Sequence, residues 1–134
     1  MNKVILSGNL CRDVEIAETL SGKEVVQNCI AVKREYKNAK GEYESDFINI
    51  VVWGNQAKYL STYASKGDRV EVVGRWNVRK YEKSDGTQQI INECVVESIP
   101  AIYNKQKEES KKEKAVNRIN SYNRNNSTFG ICNI

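Results

Sequence analysis

The amino-acid sequence predicts an all-β domain, a small five-stranded barrel with one short helix between its third and fourth strands, followed by a disordered C-terminal tail. Three observations predict it. Five segments are rich in Val, Ile or aromatic residues and are bounded by Gly, Asn, Asp or Ser. One segment between the third and fourth of these repeats its apolar residues at helical spacing. Near Pro100, the only proline, the texture changes to a stretch dominated by Lys, Asn, Glu and Ser.

The predicted strands run Lys3–Leu10, Glu24–Tyr36, Phe47–Trp53, Arg69–Tyr81 and Gln89–Ser98. Turn chemistry separates them at Ser21-Gly22, at Asn38-Ala39-Lys40-Gly41 and at Ser84-Asp85-Gly86, where Asp-Gly is a hairpin signal. In NQAKYLSTYASKG, residues Ala57, Leu60 and Ala64 recur at i, i+3 and i+7, with Asn55 placed to cap the start and Gly67 to end the helix. Five strands with a helix between the third and fourth follow the order of an OB-fold, a partly closed Greek-key barrel. An SH3-like barrel or a small sandwich gives strands at the same spacing; the position of the helix favours the OB-fold.

With 134 residues, 40% apolar and 28% charged, the chain has material for one packed core. The expected boundary lies near Tyr103, giving a domain over 1–103 and a flexible tail over 104–134 in which Lys105–Ile119 could form a transient helix. No stretch approaches the roughly 18 to 20 apolar residues of a membrane span, so a soluble, unsecreted, cytoplasmic protein is expected. Cys11, Cys29, Cys94 and Cys132 form no C-x-x-C pair and no histidine accompanies them, which points to free thiols and to no bound metal. Residues 1–103 carry 14 Lys or Arg against 14 Asp or Glu, and residues 104–134 carry 7 against 3. A neutral domain binds a polyanion only where its cations gather on one surface.

Strand parity indicates where they gather. Phe47, Asn49, Val51 and Trp53 project from one face of the third strand, while Ile48, Ile50 and Val52 project from the other. In the fourth strand Arg75, Asn77, Arg79 and Tyr81 share the surface parity, which assigns Trp76 to the core. The second strand ends on Lys33, Arg34, Glu35 and Tyr36. β-Propensity alone enriches aromatics in strands. Four of them beside Arg or Lys suit a surface that stacks any base and neutralises phosphates.

The runs NKVILSGNL at 2–10, YKNAKGEYESDFINIVVWG at 36–54, YASKGDRVEVVGR at 63–75 and VRKYEKSDG at 78–86 together resemble the bacterial and phage single-stranded-DNA-binding protein family over about the first 100 residues. The resemblance implies an OB-fold that assembles as a homotetramer wrapped by single-stranded DNA during replication, recombination or repair. Carried over by position, it implies base stacking on Tyr36, Phe47, Trp53 and Tyr81. Lys33, Arg34, Lys37, Arg75, Arg79 and Lys80 are then the cations along the strand path, with Lys3 and Arg12 next in order. Lys40 and Lys58 are expected to be solvated charges.

Two departures qualify the resemblance. Val14 stands where the family has a proline, and STFGICNI follows Glu113 with no further acid, whereas family members end in an acidic tip closing on Pro-Phe that recruits replication and repair enzymes. These features fit a phage or mobile-element member. No enzyme and no cofactor is expected, since histidine, a G-x-S-x-G elbow and a phosphate-binding loop are missing. The competing readings are a metal-dependent nuclease using Glu42, Glu44 and Asp46, and an OB-fold adaptor for proteins or structured RNA.

Overall fold

The computed structural model describes residues 1–104 and 113–123, and the chain divides into two units after Tyr103. In the first unit the strands are β1 (Val4–Leu10), β2 (Ala17–Glu18), β3 (Glu24–Lys37), β4 (Tyr43–Trp53), β5 (Arg69–Glu82) and β6 (Gln88–Tyr103), with helix α1 (Gly54–Tyr63) between β4 and β5. The sheet order is β1-β5-β6-β4-β3, and β1 returns to pair with β3 through Asn9 opposite Ala31 and Leu10 opposite Ile30. That last pairing closes a five-stranded barrel, to which β2 adds two residues at the edge of β3. β4 and β6 run parallel, and the other pairs are antiparallel. This is the Greek-key barrel that the sequence predicts.

Alternation along the strands builds the core. Val26, Ile30, Ile50, Val52, Val70, Val72, Cys94 and Val96 all point inward from even-numbered positions, and Ala57, Leu60 and Ala64 close one end from α1 and the residue after it. Each large aliphatic side chain buried there contributes roughly 1.5–3 kcal/mol. Asn28 is buried among them, and its hydrogen bonds are satisfied. Its Nδ2 donates to the Arg12 carbonyl at 3.0 Å, and its Oδ1 accepts from the Cys29 amide at 2.7 Å, tying the exit of β1 to β3. Cys11, Cys29 and Cys94 are free thiols; Cys132 lies outside the described residues.

Several local expectations need correction. α1 starts one residue before Asn55, at Gly54, whose φ of +60° makes the sharp turn from strand to helix that an L side chain would resist. Asn55 therefore lies inside the first turn and is no cap; Trp53 occupies the cap position without a side-chain hydrogen bond. The helix ends at Tyr63, where the Ala64 amide donates to the Leu60 carbonyl, and Gly67 instead turns the chain into β5. β6 continues through Pro100 to Tyr103, beyond the predicted Ser98. Two register shifts against β5, between Glu71 and Gly74, place extra β6 residues there, and a bulge is where a strand tolerates proline.

Trp76 is the clearest departure. It keeps the inward parity, yet it is 37% exposed, because β5 and β6 outgrow the barrel and little core remains above its partner Cys94. Its backbone is bracketed by Asn2, whose Nδ2 donates to the Trp76 carbonyl and whose Oδ1 accepts from the Trp76 amide, both at 2.8 Å. In the second unit residues 113–123 are helical, overlapping the Lys105–Ile119 stretch marked in the sequence over 113–119. Residues 105–112 and 124–134, on which most of the expected disorder falls, lie outside the described residues. Among the described residues, no helix is long and apolar enough to cross a membrane.

Gly74 marks the tightest contact of the barrel wall. A Cβ there would lie 2.2 Å from the Val95 carbonyl oxygen and 2.9 Å from the Cys94 sulfur. Overpacking against backbone has no flexible neighbour to absorb it, so Gly74→Ala is expected to destabilise the domain by about 3 kcal/mol or more in denaturant unfolding. Unfolding at the wild-type midpoint would contradict the register described here.

Candidate nucleic-acid interface

The surface parity of the strands assembles one continuous outer face. Gln27 on β3 is opposite Val51 on β4, Val51 is in register with Val95 on β6, and Val95 is opposite Arg75 on β5. Partners across a sheet share a face, so this row links four strands. Phe47 and Trp53 lie on β4 to either side of Val51, about 20 Å apart at strand rise. Arg79 and Tyr81 continue the same face along β5 from Arg75. Tyr36, Phe47, Trp53 and Tyr81 are 73%, 72%, 43% and 52% exposed, although the barrel core is complete without them.

The β3–β4 hairpin extends the face beyond the barrel. Its register shifts between Lys33 and Lys37, which frees Tyr36 from regular pairing. Lys33 and Lys37 both lie over the ring of Tyr43, their Nζ atoms 4.4 and 5.7 Å from its centre. Such cation–π contacts pre-order two ammonium groups around an exposed ring. Tyr43 lies outside the third strand predicted from Phe47 because β4 starts four residues earlier; its odd number, shared with Phe47 and Trp53, is the signal the sequence offers. At the tip, Asn38 Oδ1 accepts from the amides of Lys40 and Glu42, holding the turn.

The remaining cations divide by their partners. Arg34 projects from the reverse side of the hairpin and is held by two carboxylates: Nη1 reaches Glu44 at 2.9 Å, while Nη2 and Nε reach Asp46 at 2.8 and 3.1 Å. The Arg34 hydrogen bonds, followed by its charge, hold the Asp46 carboxyl below the ordinary carboxylate range. Arg79 Nε donates to the buried carboxylate of Glu93 at 3.1 Å, and Asn77 donates to the same oxygen. Lys3 is paired with Glu97. Among the described residues, Lys33, Lys37, Arg75 and Lys80 make no ion pair with a carboxylate. Lys80 points to the reverse face of the β5–β6 ribbon, opposite Ile90 and away from Tyr81.

Two further features surround the face. Cys29 lies on it, opposite Asn49, and β-sheet pairing sets it beside Cys11. Burial, followed by the thiol–thiol hydrogen bond with Cys29, pushes Cys11 up to about 11, so it stays protonated at neutral pH. Next to Trp53 an open cleft of about 660 Å³ is lined by Lys23, Glu24, Asn55 and Lys58 together with the turn glycines Gly22 and Gly54. Lys58 is therefore part of a site wall as well as a solvated charge; Nζ lies 3.7 Å from Glu24 Oε2. Glu24, Trp53 and Lys58 come from three different elements, so spacing along the chain carries no trace of the cleft.

The arrangement can stack flat rings and attract anions. Glu44 and Asp46, two of the three carboxylates of the nuclease reading, are committed to Arg34. Residues 1–102 match the model of the single-strand binding protein family. The chain is 38% identical over 123 residues to single-stranded DNA-binding protein 1 of Streptococcus agalactiae serotype III, covering 92% of this chain and 72% of that protein. It is 43% identical over 99 residues to single-stranded DNA-binding protein 1 of Staphylococcus aureus, covering 74% of this chain and 64% of the relative. Against single-stranded DNA-binding protein 3 of S. agalactiae serotype V it is 34% identical over 133 residues, 99% of this chain and 91% of the other. An exposed aromatic face on a closed OB barrel, a family model matched across the whole barrel and relatives at this level of identity lead to one conclusion: the chain belongs to the single-strand binding protein family.

Proposed function

We propose that the protein coats single-stranded DNA regardless of its sequence, holding it open and shielded during replication, recombination or repair, with no catalytic step of its own. Bases stack on Tyr36, Phe47, Trp53 and Tyr81, and Lys33, Lys37 and Arg75 meet the phosphates between them. The observation that carries this reading is the outer face itself, where Phe47 and Trp53 stand exposed on a strand whose opposite side sends Ile50 and Val52 into the core. Surface aromatics cost solvation unless a partner covers them, and a π-face accepts every base. Trp53→Ala is expected to weaken binding to poly-dT by about 1–3 kcal/mol at fixed salt. An unchanged affinity would remove Trp53 from the site.

Arg34 and Arg79 enter the reading differently, because each must leave a carboxylate before it can meet a phosphate. Asp46→Asn removes the bidentate partner of Arg34, and the expected outcome is tighter binding to poly-dT with a salt slope steeper by about 0.7. The same affinity and slope in both proteins would place Arg34 outside the DNA path. The sign of the pH effect follows from the lowered Asp46 carboxyl. The Arg34–Asp46 pair is complete above the unfolded carboxylate range and is lost only as pH falls through the still lower folded value. Between about pH 5 and pH 8, Arg34 therefore stays occupied in the free protein.

Assembly into a homotetramer is part of the proposal. The reverse face of the β5–β6 ribbon exposes Trp76, Val78 and Ile90, an apolar row that another copy of the chain would cover. Sedimentation of the full chain is expected to show four subunits. A monomer at micromolar concentration would contradict the assembly.

A further inference from the structure

We infer that Cys11 and Cys29 form an oxidisable dithiol, a modification site at the seam where β1 closes the barrel on β3, and that peroxide converts it to a disulfide. The register sets the two residues directly opposite each other. Asn9 pairs with Ala31 and Leu10 with Ile30, and the Cys11 amide then donates to the Cys29 carbonyl at 2.9 Å. Opposed residues on antiparallel strands have Cα atoms about 4.5–5.5 Å apart, inside the range of roughly 4.4–6.8 Å that a disulfide spans. Opposed residues also share a face of the sheet, and the two thiols are in hydrogen-bond contact. Both residues are partly exposed, so a small oxidant reaches them, whereas Cys94 is sealed in the core.

Hydrogen peroxide is the oxidant that balances the reaction. Cys11 keeps its proton at neutral pH and donates it toward the neighbouring sulfur, which makes Cys29 the nucleophile. The Cys29 thiolate attacks one peroxide oxygen and the O–O bond breaks. The departing hydroxide takes up the proton that Cys29 gave to solvent, leaving water and a sulfenic acid on Cys29. The Cys11 sulfur then attacks the sulfenic sulfur, the S–O bond breaks, and the second hydroxide leaves as water with the Cys11 proton. Two thiols have lost two electrons, and one peroxide has become two waters. The new bond closes a loop over residues 12–28, which carries β2 and the turn into β3. A cross-link of this kind restricts the unfolded chain, so the oxidised domain is the more heat-stable form.

The test treats the reduced full-length protein, under native conditions, with a few equivalents of hydrogen peroxide. Thiol titration in denaturant is expected to fall from four to two. The intact single-chain mass should drop by two hydrogen atoms, and peptide mapping should join Cys11 to Cys29. The thermal midpoint should rise by several degrees, and dithiothreitol should reverse every change. Cys11→Ala should lose both the link and the rise in midpoint, and should leave a sulfenic acid on Cys29 that dimedone captures. Cys11→Ser should do the same if the alanine variant folds poorly. Four titratable thiols after peroxide, a link between other cysteines or between chains, or a midpoint that still rises in both variants overturns the inference.

Discussion

The strict two-residue alternation of strand side chains, locked by closure of the sheet on itself, is the constraint on which the rest of this molecule depends. A slip of one residue would exchange inner and outer rows on every strand. Such a slip is prevented where β1 meets β3 and where β5 meets β6. A Cβ on Gly8 would lie 2.5 Å from the Ala31 carbonyl oxygen, and Gly74 meets Val95 more closely still. With the register held, Val26, Ile30, Ile50, Val52, Val70 and Val72 fill the barrel from even-numbered positions of β3, β4 and β5, and Phe47, Trp53, Arg75 and Tyr81 take the opposite parity on the outer face. The rings on that face are thus fixed in spacing by the same pairing that builds the core.

Electrostatics then refine what the face can do. The barrel domain carries equal numbers of basic and acidic residues, and several of its cations are neutralised locally by carboxylates on the neighbouring strand, as at Arg34 with Asp46 and Arg79 with Glu93. Exposed pairs of this kind add little stability. Their effect here is to sort the cations. Lysines gathered over Tyr43, and Arg75 beside Val95, are left to act at long range, whereas the paired arginines carry competition between a carboxylate and an incoming anion. A strongly basic face would bind duplex and single strands alike; a moderately charged face with exposed rings rewards unpaired bases.

Much of this was legible in the sequence because alternation and turn chemistry are local. The five strands, the helix between the third and fourth, and the outward side of Phe47, Trp53 and Tyr81 follow from turn chemistry and parity, whereas the even-numbered Tyr36 is exposed beyond a register shift in β3. What was not legible depended on partners distant in the chain. Tyr43 joined the face because the long arm of β3 gave it a pairing partner, and Trp76 left the core because β5 outgrew the strands beneath it. Pro100 sits within a strand because a bulge against β5 accommodates it. Arg34 reads as a free cation until its neighbours across the hairpin are seen. The Glu24 cleft needs three elements at once, and no periodicity encodes that.

In the proposed function, an exposed aromatic face on this barrel takes the place of a base's neighbour in the stack. Its most direct test is a tryptophan fluorescence titration of the full-length protein at low, fixed salt with poly-dT and, separately, with duplex DNA of equal length. Saturable quenching is expected with poly-dT, and far weaker binding with the duplex, whose bases are already stacked. Equal affinity for the two, or no response to poly-dT, would contradict it.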